Sequence, residues 1–195
     1  MRITRLKQTL CALALSSMVF TASADWALNN ADSSLNFISI KKQSIGEVHT
    51  FKNLEGTLKD NGNVTVDVAL TSVDTKIPTR DDRMKKVLFE VAQFPKATVS
   101  TKADVKRIES LKSGESFSQK LELNLSIHGQ QQTVDADMRI TSLAGNKLLV
   151  STINPIIINA RDFEFEKGIK MLQELAKLTS ISTAVPVTAS FIFEK

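Results

Sequence analysis

The stretch FSQKLELNLSIHGQQQTVDADMRI, residues 117–140, decides the fold. Phe117, Leu121, Leu123, Leu125 and Ile127 fall on one side of a two-residue period, opposite Ser118, Lys120, Glu122, Asn124 and Ser126. His128-Gly129 turns the chain, and Val134, Ala136, Met138 and Ile140 resume the alternation. Successive side chains of a strand point to opposite faces, so this pattern predicts a hairpin with one apolar and one wet face.

The same pattern extends in both directions. Residues 34–41, 50–59, 64–70, 97–107 and 147–158 read as strands, and Val185, Val187, Ala189, Phe191 and Phe193 form the clearest one. Asp60-Asn61-Gly62-Asn63, Ser113-Gly114 and Ala144-Gly145-Asn146 are turns between them. About eight strands in neighbouring hairpins predict a mainly β fold, an eight-stranded antiparallel up-and-down barrel. A barrel of this strand number either fills its interior with side chains or holds one small ligand. Ala69, Ala103, Ala136 and Ala189 are small inward candidates that leave room. A packed sandwich with the same alternation is the alternative.

Two segments break the alternation. In SVDTKIPTRDDRMKKVLFEVAQFP, residues 72–95, Thr79 stands as an N-cap with an acid three residues on, and Pro78 fixes the entry. Met84, Val87, Leu88 and Val91 have the spacing of a buried helical face, and Phe94-Pro95 ends it. Asp81 and Asp82 suit the positive end of the helix dipole. Asp82, Arg83, Lys85 and Lys86 read as a solvated face. Residues 166–179, introduced by Arg161-Asp162-Phe163, form a second helix with Ile169, Leu172, Leu175 and Ala176 on one side. Two short helices among eight strands either cap the barrel mouths or pack outside the sheet.

The start of the chain belongs to targeting. Arg2, Arg5 and Lys7 precede a mostly apolar run, and Ala22-Ser23-Ala24 is a small-residue cleavage site. Residues 1–24 therefore read as a signal peptide and 25–195 as one domain, placing the protein in the periplasm of a two-membrane cell. Cys11 lies in the apolar run, so the mature chain has no thiol. Removal of the three basic residues from 25 leaves 22 against 21 acids, so the basic isoelectric point belongs largely to the signal. The mature chain lacks the charge of nucleic-acid binders, and with two His, no Tyr, Trp26 and ten Phe in the whole sequence (Phe20 in the signal) its stacking platform is thin. His49 and His128 lack partners at metal-ligand spacing, and no nucleophile elbow, P-loop or dinucleotide fingerprint occurs.

Several motifs in order resemble the YceI-like family of secreted, lipocalin-like proteins. They are WALNNADSSLNF (26–37), Gly56-Thr57-Leu58, SVDT with RDD and LFEVAQFPKATVST, LSIHG (125–129), and ARDF (160–163). The resemblance implies a barrel with an elongated apolar cavity for long-chain amphiphiles: polyisoprenoids, isoprenoid quinones or fatty acid derivatives. The chain departs from the family at Asp32 and at Arg83-Met84, where the family has histidine and histidine-leucine, at His49 in a glycine's place, and through the helix at 166–179. These changes fall where a ligand head group would sit.

Together these features predict a carrier for one long apolar chain, performing no chemistry and needing no cofactor or metal. Phe37, Val66, Val68, Leu123, Leu125, Ala136, Met138, Ala189 and Phe191 are the candidate cavity lining, with His128, Arg80 and Arg161 as candidate polar contacts. Bridges from Arg80 or Arg161 to an aspartate are the structural alternative for those two. The competing function is an interaction protein whose packed barrel docks a membrane partner; an enzyme acting through His128 is a third. Transient membrane contact follows from a lipid ligand, and the resemblance raises a homodimer. Edman sequencing of the secreted protein is expected to begin at Asp25; an intact Met1 in the soluble fraction would contradict the signal peptide.

Overall fold

The computed structural model describes residues 25–195; the signal peptide expected at 1–24 lies outside them. The chain runs through β1 (Trp26–Lys41), β2 (Ile45–Phe51), β3 (Leu54–Leu58), β4 (Asn63–Ala69) and β5 (Val73–Asp74). Then come α1 (Pro78–Arg83), β6 (Lys96–Lys102), α2 (Val105–Glu109), β7 (Ser116–Ile127) and β8 (Gln130–Leu143). The last elements are β9 (Lys147–Thr152), β10 (Ile156–Asn159), α3 (Glu166–Leu175) and β11 (Ala184–Glu194).

Every pairing is antiparallel, and the first strand closes on the last, Leu28 opposite Phe193 and Phe37 opposite Val187. β2 and β3 lie end to end along the other edge of β1, and β9 and β10 do the same along β11. Counting each such pair as one stave, and β5, which pairs with β2, as the continuation of β4, gives a closed, eight-stranded antiparallel barrel, lipocalin-like and up-and-down. The sequence reading runs 50–59 and 147–158 through as unbroken strands. The first breaks at Lys52-Asn53, where Ser72 and Asn30 side chains accept from Asn53 N and Leu54 N in place of a ladder. The second breaks before Pro155, which has no N–H to give a ladder.

β7 and β8 are the hairpin that the quoted stretch predicts, paired from Phe117↔Ile140 to Ile127↔Gln130. His128 and Gly129 are its two-residue turn, both at positive φ, as a hairpin turn matching the twist of the strands requires.

Strand direction places the helices. α1 follows β4 and β5, which run the same way, and α3 follows β10, so both helices lie at the barrel end that carries the β7–β8 turn. α2 follows β6 and closes the opposite end, where Ile108 is buried and Arg107 stacks 4.0 Å from the Phe117 ring centre. The strand expected over 97–107 stops at Lys102 because Asp104 caps this turn, its side chain accepting from Arg107 N. The capping expected of Thr79 is not formed either. Ile77 is the N-cap residue and Pro78 occupies the first turn. Asp81 instead accepts from the Thr75 backbone N–H at 2.8 Å and from its hydroxyl at 2.5 Å, tying the helix to the loop before it.

α1 runs on into a wider turn, Met84–Leu88, against which α3 packs. A Cβ at Gly168 would lie 2.7 Å from the Val87 carbonyl oxygen and 3.0 Å from Leu88 Cα. Backbone touches backbone there, so the close packing of the two caps depends on the missing side chain. Gly→Ala in a free helix gains about 1 kcal/mol. Here the overpacking cost of about 1–3 kcal/mol opposes it. Gly168→Ala is therefore expected to lower the melting temperature, and a rise would mean that the caps give way freely.

Candidate functional site

The inward faces of the staves enclose a cavity of about 390 Å³. Along β4 and β6 the facing pairs Val68↔Ala97, Val66↔Val99 and Val64↔Thr101 all border it. None of these side chains reaches far across a barrel, which is why space remains. Phe37, Val66, Val68, Leu123, Leu125, Met138, Ala189 and Phe191 line it, as does Arg80. Ala136 is buried without lining the cavity; Val134 and Met138, its longer neighbours on the same face, border it instead.

His128 and Arg161 stand apart from the cavity lining. The His128 ring hydrogen-bonds Glu90 Oε2 at 2.9 Å and the Phe163 carbonyl at 3.2 Å, and it lies between the Phe94 and Phe165 rings. It tethers three loops at the helical end. Arg161 is exposed and paired with Glu166 rather than with an aspartate. Arg80 also takes a glutamate, Glu47, at 2.7 Å, and donates to the Thr75 carbonyl. Asp74, an aspartate six residues before Arg80, is held instead by Lys52.

The cavity has a direction. On β1 the inward residues run Leu35, Phe37, Ser39, Lys41, and on β2 they run Phe51, His49, Glu47. Both faces change from aromatic to hydroxyl and imidazole, then to charge, as they approach the helical end. Phe37 stacks on Phe51, which leads by ring contacts to Phe89 and Phe165 beneath the caps. Lys41 and Arg80 both pair with Glu47 Oε2 at 2.7 Å. Arg83 lines the same end, its guanidinium reaching the Leu175 carbonyl at 3.4 Å, so it is only partly the solvated residue its sequence context suggests.

His49 is buried, 2 % exposed, and its Nε2 lies 2.7 Å from Ser39 Oγ. The period-two pattern of Glu47, His49 and Phe51 is the signal that assigns all three to the interior. Starting the strand at residue 50 hides it. Hydrogen bonding from Lys41 and the nearby Arg80 hold the Glu47 carboxyl below its ordinary range. Burial, and after it the charge of Arg80, pushes the His49 pKa below its ordinary 6.5.

The profile of the YceI-like domain matches residues 26–193. The chain belongs to the YceI-like family. A polyisoprenoid binding domain from Saccharophagus degradans, implicated in plant cell wall breakdown, is 34 % identical with a TM-score of 0.85, over 87 % of this chain and 97 % of that one. BcnA of Burkholderia cenocepacia shares the fold at 15 % identity and a TM-score of 0.65, over 85 % and 98 % of the two chains. A Campylobacter jejuni YCEI protein does so at 18 % and 0.55, over 75 % and 84 %. No curated protein matches this YceI-like chain.

The His49 shift sets a pH dependence. Below pH 6.5 the unfolded chain takes up a proton that the folded one refuses, so stability falls with acidification before the carboxylates titrate. Chemical denaturation between pH 7 and pH 5 is expected to show this decline, and His49→Leu to flatten it. An unchanged slope in the variant would show that burial does not disfavour the imidazolium.

Proposed function

We propose that the protein is a periplasmic carrier for one long-chain apolar molecule, a polyisoprenoid, isoprenoid quinone or fatty acid derivative, on which it performs no chemistry. The observation that carries this reading is the continuous, mostly apolar cavity inside a closed barrel, with its charged lining residues at one end. The basic-then-apolar start of the chain supports export, and the similarity to a polyisoprenoid binding domain supports the ligand class.

The energetics suit a carrier. Each buried methylene contributes about 0.8 kcal/mol, so eight carbons supply roughly 6 kcal/mol before ordering costs. Affinity then grows with chain length. The cap helices cover the end through which a polar head would face outward. Exposed apolar residues surround that end: Ile45, Val48, Ile77, Met171 and Leu175. Such a rim suits transient contact with the membrane that donates or receives the chain.

Native mass spectrometry of protein from its own host, followed by organic extraction, is expected to yield a bound lipid. Ala189→Trp puts a bulky ring on the cavity wall and is expected to deplete that lipid without unfolding the barrel. A bare mass under gentle conditions, or full ligand retention in Ala189→Trp and a matching Ala103→Phe variant, would instead favour a packed interaction protein.

A further inference from the structure

We propose that the polar end of the cavity is a head-group site selective for an anionic oxygen group, a carboxylate or phosphate carried on the apolar chain. This assignment rests on the carrier reading and adds to it the chemistry of the ligand's end.

Two observations carry it. The first is charge. The charged residues lining the cavity are Lys41, Glu47, Arg80 and Arg83, three cations to one acid, and all stand at the helical end. Glu47 is shared by Lys41 and Arg80. Arg83 hydrogen-bonds only a backbone carbonyl there. A group of this kind on the edge of an apolar interior favours an additional anion, because excess charge away from water is costly until it is paired.

The second observation is directional. Among the described residues, His49 Nδ1 and Arg80 Nε are buried polar atoms without a hydrogen-bond partner. Arg80 Nε can only donate. When the Ser39 hydroxyl donates to His49 Nε2, the neutral ring carries its proton on Nδ1 and also donates. Buried donors left unmatched are destabilising, and an acceptor-only oxygen group answers both. An alcohol head, which brings its own donor and no charge, answers them less well.

The test compares three probes of equal chain length, hexadecanoic acid, hexadecyl phosphate and hexadecanol, titrated calorimetrically into delipidated mature protein at pH 7.5. At least one anionic chain is expected to bind about tenfold more tightly than the alcohol, the gain of one charge-assisted hydrogen bond. Which of the two anions wins identifies the group. His49→Leu and Arg83→Met are each expected to reduce the ratio of anion to alcohol affinity about threefold or more. Far-ultraviolet circular dichroism and the melting temperature report an intact barrel in each variant. Equal binding of acid, phosphate and alcohol, or a preference untouched by both substitutions, overturns the head-group assignment and leaves the carrier reading standing. Binding of none of the three chains overturns both.

Discussion

The pairing of the first strand with the last is the contact on which the molecule depends. β1 meets β11 across nearly the whole length of the chain, and without it the sheet would have two open edges and no inside. Closure has a cost in loop entropy that only long-range pairing repays, so the barrel forms as a whole. The closing seam is not uniform. Between Asn29 and Ser34 the register slips, and the extra residues bulge outward in a turn held by the Asn29 side chain accepting from Ala31 N and Asp32 N. Ser33 fills the gap in the ladder by accepting from Ile192 N. Asp32, which departs from the family's histidine, lies in this exposed bulge, away from the cavity lining.

Closure converts the inward faces into a container, and the choice of side chains settles what kind. Valine and alanine dominate β4 and β6, and the cavity they leave is mostly walled by carbon, with Thr101 and Gln119 as uncharged polar exceptions, while β1 and β2 bring in Ser39, His49, Lys41 and Glu47. Lys41 and Glu47 stand partly exposed where the two strands near the rim, whereas His49 behind them is buried. The cap helices then lie over the same end. Their mutual contact is close because Gly168 brings α3 to the backbone at Val87, and Phe89, Phe165 and His128 extend ring contacts from the interior to the loops outside. Cap, rim and cavity are therefore one packed unit, and a motion of the caps would change all three.

How much of this was legible in the sequence follows from which interactions are local. Period-two alternation reports a strand with one buried face, so the hairpin of β7 and β8 and the last strand could be read directly, and with them the barrel. Breaks within a stave are set by side chains far away in sequence, as when Asn30 takes over Leu54 N, and alternation carries no trace of them. The capping pattern at Thr79 is a sound local rule, but the helix starts one residue before it, at Pro78, with Ile77 as the N-cap residue. Asp81 is recruited by Thr75, and the helix has no side-chain cap. Among the cavity candidates, the aliphatic residues other than Ala136 follow from facing direction; Ala136 faces inward too, but its short side chain does not reach the cavity. The ion partner of Arg80 cannot be read that way, since Glu47 is brought to it from another strand; Arg161 takes Glu166, at the start of the helix that follows it, in place of an aspartate.

His49 shows why the polar end escapes sequence reasoning. A histidine in a short run after a turn reads as surface, and its place in the family belongs to glycine. Only the register Phe37↔His49 puts it inside the barrel, with its ring 5.1 Å from the Phe37 ring and its Nε2 on Ser39. Glycine at that point would leave room; imidazole fills it and adds a directional polar atom. The ring therefore takes up apolar space and leaves one buried ring nitrogen without a partner at the end of the cavity. A cavity whose walls give affinity in proportion to chain length has little means of telling one head group from another. Burying one imidazole beside Arg80 supplies that means, because a buried hydrogen-bonding group left unmatched penalises the wrong partner more than it rewards the right one.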